Sequence, residues 1–210
     1  MILTVALALT LGITAAARHG KGGDWIIMLL SQLGIAIPAF WLSMLLVLLF
    51  AVKLRWLPPG GFPGWGEPVQ AVRSLILPTV ALALVQSAVL ARVTRSAALE
   101  VMRLDFVRTA RATGFGPRHV LWRHVLPNAL VPIVTIVGLQ FAALVTGTIV
   151  IENVFYLPGL GRLLFQSIAN RDLVTVQALV MLFATFVVTA NFLVDIAYVL
   201  IDPRLREARA

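Results

Sequence analysis

The sequence contains no cysteine and few charged residues. Without cysteine, a disulfide framework, a cysteine-based zinc site and a cysteine nucleophile are excluded. Only 12% of the 210 residues are charged and 60% are apolar, whereas soluble domains have roughly 25% charged and 45–50% apolar residues. This composition excludes an ordinary water-soluble fold, and its high hydrophobicity also excludes a disordered chain.

Sequence motifs for catalysis and nucleotide binding are missing as well. The phosphate-binding pattern Gly-x4-Gly-Lys-Ser/Thr does not occur, so any nucleotide hydrolysis has to take place on another polypeptide. The three histidines, His19, His119 and His124, lack the i, i+4 spacing of a zinc site. We therefore predict a chain that is not an enzyme, with no catalytic residue, no metal site and no cofactor.

Long apolar runs dominate the sequence. A helix needs about 20 apolar residues to cross ~30 Å of hydrocarbon, and five runs approach or exceed this length: 1–17, 25–52, 75–91, 129–151 and 174–200. The predicted fold class is therefore all-α, a polytopic membrane protein with five transmembrane helices in a single domain, 1–210. Pro38 is expected to kink the second helix.

The distribution of basic residues predicts the orientation in the membrane. With five spans, one side of the membrane receives loops 18–24 and 92–127 and the tail 201–210, which together hold 12 of the 17 Lys and Arg residues. The positive-inside rule makes this side cytoplasmic and places the N-terminus outside. An external N-terminus suggests that an upstream helix is missing from this chain. The alternative is that 1–17 is a signal peptide.

Loop 92–127 is too long for a simple connection and carries several helix signals. Residues 97–102 can continue the third span beyond the membrane, and 105–113 form a second short helix that Gly114 ends. A third short helix is expected to begin at Pro117 and to end before Pro127.

The middle helix of this loop is amphipathic and allows two interpretations. Leu104, Val107 and Ala110 share one face, and Arg108 and Arg111 lie on another. Such a helix can dock in a groove of a partner and pass the partner's motion to the membrane helices. The alternative is an interfacial hairpin whose arginines contact anionic lipid headgroups. Nucleic acid is not an expected partner, because the basic residues are dispersed and lack a recognisable binding fold.

The same loop contains Arg-Thr-Ala-Arg-Ala-Thr-Gly at 108–114 and, after nine further residues, His-Val-Leu-Pro at 124–127. This string resembles the signature loop of ABC importer permeases, whose general pattern is Glu-Ala-Ala, three residues, Gly, nine residues, Ile-x-Leu-Pro. The positions that match are Ala110, Gly114, Leu126 and Pro127, and those that depart from the pattern are Arg108, Thr109 and His124. The longer string at 105–114, Asp-Phe-Val-Arg-Thr-Ala-Arg-Ala-Thr-Gly, resembles the variant found in peptide and nickel importer permeases. Further similar strings are Ile-Pro-Ala-Phe-Trp at 37–41, Phe-Tyr-Leu-Pro-Gly-Leu-Gly at 155–161 and Asp-Pro-Arg at 202–204.

The resemblance implies a six-helix permease subunit of a bacterial or archaeal inner membrane that here lacks its first helix. The implied partners are a second permease subunit, two cytoplasmic ATP-binding subunits, an extracytoplasmic solute-binding protein and membrane lipid. The implied solute is a di- or oligopeptide, a nickel chelate or another small solute, moved by alternating access. The alternative is an ion-coupled secondary transporter, but the sequence offers only Asp195 as an intramembrane charge.

Three groups of residues are candidates for function. The resemblance assigns contact with the ATPase subunits to Asp105, Arg108, Thr109, Ala110, Arg111, Gly114, Leu126 and Pro127. Polar residues within the spans are candidates to line the pathway, with hydrogen bonds between helices as the alternative: Gln86, Ser87 and Gln140. A gate or a contact with the binding protein is expected in the external loop 152–172, with a plain connecting helix as the alternative: Phe155, Pro158, Gly159 and Gly161. We expect Asp195 to form a structural pair near the membrane interface.

Overall fold

The computed structural model describes residues 1–201, without the side chains of 195 and 197–201. This range contains helices and no strand, which confirms the all-α prediction. In chain order the helices are α1 (Ile2–Ala17), α2 (Gly22–Ala36), α3 (Ala39–Leu46), α4 (Pro68–Val101), α5 (Asp105–Ala112), α6 (Pro117–Val120), α7 (Leu126–Val154), α8 (Leu160–Ala169) and α9 (Leu173–Ile201). Two π-helical segments, Val47–Lys53 and Leu121–Val125, follow α3 and α6. The expected pair of Asp195 and the tail after residue 201 lie outside the described residues.

Within residues 1–201, three helical stretches are long and apolar enough to cross a membrane: Pro68–Val101, Pro117–Val154 and Leu173–Val194. The broken pair Gly22–Ala36 and Ala39–Lys53 adds a fourth if it counts as one span. The break lies at Pro38, as expected, because proline has no N–H to donate within a continuous helix. The remaining expected span is α1, which is apolar but has 16 residues, a length of about 24 Å.

The chain forms two compact units. Of the described residues, the first unit contains Met1–Ala36, Gln86–Gln140 and 192–201, and the second contains Ile37–Val85 and Phe141–Asn191. The core of the second unit is small and centres on four buried side chains: Leu77, Ala81, Ile151 and Phe155.

The core of the first unit joins residues of α1, α4, α5, α6 and α7 in one buried cluster, called here the first-unit core. Its members are Ala8, Ala16, Leu90, Ala91, Ala97, Ala98, Val101, Val107, Ala110, Val120, Val125, Ala129 and Ile133. Gly12 lets α1 approach α4 closely, since a β-carbon at this position would lie 2.6 Å from Cβ of Thr94. Small residues at helix contacts allow such an approach.

Contrary to expectation, the third helix of loop 92–127 does not end before Pro127. The helix continues without a break through Pro117–Val154. Proline in a helix normally collides with the carbonyl group four residues earlier, but here the wide turn Leu121–Val125 precedes it. The Asn128 side chain donates a hydrogen bond to the His124 carbonyl at 2.7 Å. This local arrangement accommodates the proline inside the helix.

Candidate functional site

Residues next to each end of α5 explain where this helix begins and ends. Asp105 lies in the first turn and Arg111 in the last, so each charge opposes the partial charge of the adjacent helix end. Gly114 has a φ of +88°, and its N–H donates to the Arg111 carbonyl at 3.1 Å. No heavy atom lies within 4 Å of where a β-carbon at Gly114 would be. The left-handed backbone, and not a lack of space, therefore favours glycine here.

The apolar face of α5 packs into the first-unit core. Val107 is fully buried and Ala110 nearly so, together with Ala98 and Val101 from the last turns of α4. The expectation that Leu104 shares this face is wrong. Leu104 precedes α5 in an extended conformation and is about half exposed, because it occupies the N-cap position, outside the helical repeat.

The polar face of α5 is open to solvent. The side chains of Asp105 and Arg108 are 94% and 73% exposed, and their Oδ1 and Nη1 atoms lie 3.3 Å apart. A pair this exposed contributes little to stability, so both charges remain free to bind a partner. Thr109 is also exposed, and its hydroxyl donates to the Asp105 carbonyl at 3.0 Å. Arg111 borders a mainly apolar cavity of about 470 Å³.

The candidates for contact with the ATPase subunits are called here the coupling candidates. The two that remain, Leu126 and Pro127, begin α7. They directly follow the π-helical turn Leu121–Val125, and α5 contacts both this turn and α6. Pro127 is exposed and Leu126 is partly buried. α5 thus contacts α6 and the π-helical turn, which together lead directly into Leu126 and Pro127.

Among the pathway candidates, Gln140 forms a bond between two helices. Its Nε2 donates to the Gln86 carbonyl at 2.9 Å, linking α7 to α4. Gln140 and Ser87 are both buried, and Gln86 is partly buried. The bond is the interhelical hydrogen bond that stood as the alternative. A role of these three residues in the pathway stays a prediction.

The gate candidates lie in the second unit, where α7 turns into α8. Tyr156 has a φ of +52°, and the Leu157 N–H donates to the Glu152 carbonyl at 2.9 Å. This is the hydrogen bond of a Schellman turn, which ends α7. Phe155 is fully buried, and its carbonyl accepts a hydrogen bond from the N–H of Gly61 at 2.8 Å. Pro158 is exposed on the same turn.

Glu152 organises this turn and was missed by the sequence reasoning. Its Oε2 accepts hydrogen bonds from the N–H groups of Gly161 at 2.8 Å and Arg162 at 3.3 Å, in the first turn of α8. Gly159, at the N-cap, has no side chain that could serve these donors. A β-carbon at Gly159 would collide with the Glu152 carboxylate. The signal that could have identified Glu152 is its position as a single acidic residue directly after the long apolar run 129–151.

Replacing Glu152 by alanine should loosen α8 without unfolding the second unit. Loss of a helix cap costs about 0.5–2 kcal/mol, so the amides of Gly161 and Arg162 should exchange their hydrogens faster. The amide oxygen of Glu152→Gln can still accept, and protection there should largely persist. Glu67→Ala, at an exposed position, is the matched control. Unchanged protection in Glu152→Ala would contradict this capping role.

Most of the chain matches the model of one known protein family. The model of the family described as binding-protein-dependent transport system inner membrane component matches residues 8–207. The chain belongs to this family. The resemblance noted in the sequence is thereby confirmed, and the apolar helices are those of an inner membrane component.

Relatives of this inner membrane component include peptide transport permeases. A putative peptide transport system permease protein of Brucella abortus is 45% identical over 97% of this chain and 65% of its own length. The di/tripeptide transport system permease protein DppB of Pseudomonas aeruginosa is 39% identical over 100% of this chain and 68% of its own length. The glutathione transport system permease protein GsiC of Salmonella choleraesuis is 42% identical over 98% of this chain and 65% of its own length.

The chain therefore spans about two thirds of the length of these relatives. Its fold is similar to that in the crystal structure of an amino acid ABC transporter with histidines, with a TM-score of 0.63 and 16% identity. That match covers 94% of this chain and 86% of the other.

Proposed function

We propose that this inner membrane component is the permease subunit of an ATP-driven importer. It forms half of a pathway through which a di- or oligopeptide, or a related small solute, crosses the inner membrane by alternating access. Its partners are a second permease subunit, two cytoplasmic ATP-binding subunits and an extracytoplasmic solute-binding protein. The names of the peptide, di/tripeptide and glutathione permeases among its relatives support a peptide-like solute.

The division of α5 into a buried and an exposed face carries this proposal. Val107 and Ala110 fix the helix to the first-unit core, while Asp105, Arg108 and Thr109 face solvent. A short helix held in this way can receive a force on its polar face and transmit it through its apolar face. This two-faced arrangement supports docking into an ATP-binding subunit.

Each coupling candidate has a distinct part in this proposal. The three exposed residues, Asp105, Arg108 and Thr109, contact the ATP-binding subunit. Ala110 anchors the helix, and Gly114 ends it. Leu126 and Pro127 begin the long helix that takes up the motion, and Arg111 lies at the edge of the contact.

The topology of the proposal follows the positive-inside rule. Loops 18–24 and 92–127 and the tail 201–210 are cytoplasmic, where ATP-binding subunits can reach α5. The turn between α7 and α8, with Phe155, Pro158, Gly159 and Gly161, faces the binding protein. Its buried Phe155 and the Glu152 cap support a rigid contact or gate there.

Charge reversal on the polar face tests the docking of α5. In vesicles that contain the complete complex, Arg108→Glu should lower solute-stimulated ATP hydrolysis about tenfold or more. The surface of the ATP-binding subunit that receives Arg108 would then face a charge of the wrong sign, which costs several kcal/mol. Membrane insertion and yield should stay at the wild-type level, since Arg108 is exposed. Lys53→Glu, an exposed basic residue outside the cytoplasmic loops, is the matched control.

Two results would contradict the proposal. One is wild-type stimulation of ATP hydrolysis in Arg108→Glu. The other is solute uptake by the purified chain in vesicles without ATP-binding subunits, which the ion-coupled alternative predicts. The ligand retained by the binding protein that co-purifies with the complex identifies the solute.

A further inference from the structure

An ion pair with a buried carboxylate joins α2 to α4 in the first unit. Asp24 lies in the first turn of α2 and is only 3% exposed. Its two carboxylate oxygens accept separate hydrogen bonds from Arg95 on α4, from Nε at 2.6 Å and from Nη2 at 2.7 Å. The N–H of Gly20 also donates to Asp24, at 3.0 Å. The carboxylate therefore joins α2 to α4 through a bidentate bond to Arg95, and it joins the α1–α2 turn through the bond from Gly20.

His19 completes this cluster without being essential to its geometry. Its Nδ1 lies 3.2 Å from Oδ2 of Asp24 and 3.1 Å from Nη2 of Arg95. One ring nitrogen cannot donate to the carboxylate and accept from the guanidinium at the same time. His19 therefore bonds to one partner or the other, and the bidentate bond between Asp24 and Arg95 is complete in either case.

The ion pair is important for α2 because this helix buries little else. Along α2, the buried residues are Asp24 and Ser31, whereas Trp25, Ile26 and Leu29 expose more than half of their surface. α2 packs beside α1, but it contributes no residue to the first-unit core. The Asp24 carboxylate bonds this helix directly to α4.

Arg95 lies on the part of α4 that also supports α5, called here the coupling helix. Ala98 and Val101, one and two turns beyond Arg95, are buried in the same core as Val107 and Ala110 of α5. A displacement of α5 therefore acts directly on the end of α4. Arg95 is carried along with that end.

We propose that the Asp24–Arg95 pair is a mechanical link that makes α2 follow α4 when the coupling helix moves. Asp24 and Arg95 are positioning residues in this inference, which rests on the proposed function of α5. The bidentate bond fixes the orientation of both groups as well as their distance, which a single point charge does not. The burial of Asp24 strengthens the link, because separating the pair would leave its carboxylate unpaired and away from water.

The number of solute molecules transported per ATP hydrolysed tests the link. The complete complex is reconstituted in vesicles with Asp24→Asn, with Arg95→Gln or with both substitutions, and the ratio is measured per assembled complex. We expect the ratio to fall about fivefold or more in each of the three, while solute still stimulates ATP hydrolysis. A purely structural ion pair would change yield and Tm but leave this ratio at the wild-type value. That result would overturn the proposal.

A milder variant keeps the test valid if the first set assembles poorly. Arg95→Lys retains the positive charge beside Asp24 but cannot form the bidentate bond, so its ratio should lie between those of the wild type and Arg95→Gln. Arg92→Gln, an exposed arginine about one turn earlier on α4, is the matched control and should keep the wild-type ratio. A wild-type ratio in Arg95→Lys, with the same yield as Arg92→Gln, would refute the link.

The link and the docking of α5 fail in different ways. If Asp24→Asn and Arg95→Lys keep the wild-type ratio while Arg108→Glu loses stimulation, the link is refuted and the proposed function stands. If Arg108→Glu also retains full stimulation, both are refuted. Stimulation that survives together with a lowered ratio in Asp24→Asn supports the link.

Discussion

Val107→Asp should abolish solute-stimulated ATP hydrolysis by the reconstituted complex. Val107 is fully buried in the first-unit core, and a carboxylate there would lose its hydration without gaining a partner. Such a burial costs several kcal/mol in proteins, enough to detach α5 from the end of α4. The polar face of α5 would then have no rigid support behind it, so docking could no longer move the membrane helices.

Limited proteolysis gives a second measurement of the same change. Trypsin should cleave at Arg108 and Arg111 faster in Val107→Asp, because a detached helix unfolds locally more often. Ala112→Asp places the same charge at an exposed position of α5 and should keep the cleavage rate at Arg108 and most of the stimulation. Wild-type cleavage and stimulation in Val107→Asp would show that the packing of α5 is not needed for coupling.

Gly161→Ala should destabilise the turn between α7 and α8 by about 1–3 kcal/mol. Gly161 is buried, and a β-carbon there would collide with Cα of Ile149 in α7. Backbone atoms cannot rotate away as the end of a side chain can, so α8 has to move. The new methyl group would also lie 3.0 Å from Oε2 of Glu152, so the substitution weakens the cap as well.

Thermal unfolding in detergent and hydrogen exchange in α8 measure this effect. Gly161→Ala should lower Tm by several degrees and increase the exchange of the α8 amides. Gly66→Ala is the matched control, because a β-carbon there meets nothing within 4 Å and its φ is not in the left-handed region. If both measurements match the wild type in Gly161→Ala, then α8 does not approach Ile149 as described.

The limits of α5 could be predicted closely from the sequence. The helix was expected at 105–113 and is found at Asp105–Ala112, because Gly114 and the spacing of apolar residues are local signals. The same spacing predicted the burial of Val107 and Ala110. Leu104 was assigned wrongly, since a periodic pattern does not reveal where the first helical residue lies.

The continuation of the helix through Pro127 could not be predicted in the same way. Proline is ordinarily a signal for a helix end, and here a π-helical turn and the Asn128 side chain override it. Neither has a sequence pattern of its own. The number of spans is a similar case: the break at Pro38 was expected, but an apolar run does not show whether the two halves, Gly22–Ala36 and Ala39–Lys53, cross as one span.

Bonds between residues that are far apart in the sequence could not be predicted for a different reason. Asp24 and Arg95 are 71 residues apart, and sorting charges by loop places both simply on the cytoplasmic side. Nothing in a single sequence indicates that they form one bond. Glu152 likewise acts on a helix that begins only after a tight turn. Its acceptor role depends on the close approach of Gly159 and Gly161.

The π-helical turn at Leu121–Val125 also corrects the phase of the helix that contains it. Val120, Val125, Ala129 and Ile133 are all buried in the first-unit core, with spacings of five, four and four residues. In a regular α-helix, five residues turn through about 500°, which would leave Val120 and Val125 about 140° apart. The wider turn brings the two valines to the same side. One additional residue thus keeps a single buried stripe continuous from the short helix beside α5 to the beginning of the long membrane helix.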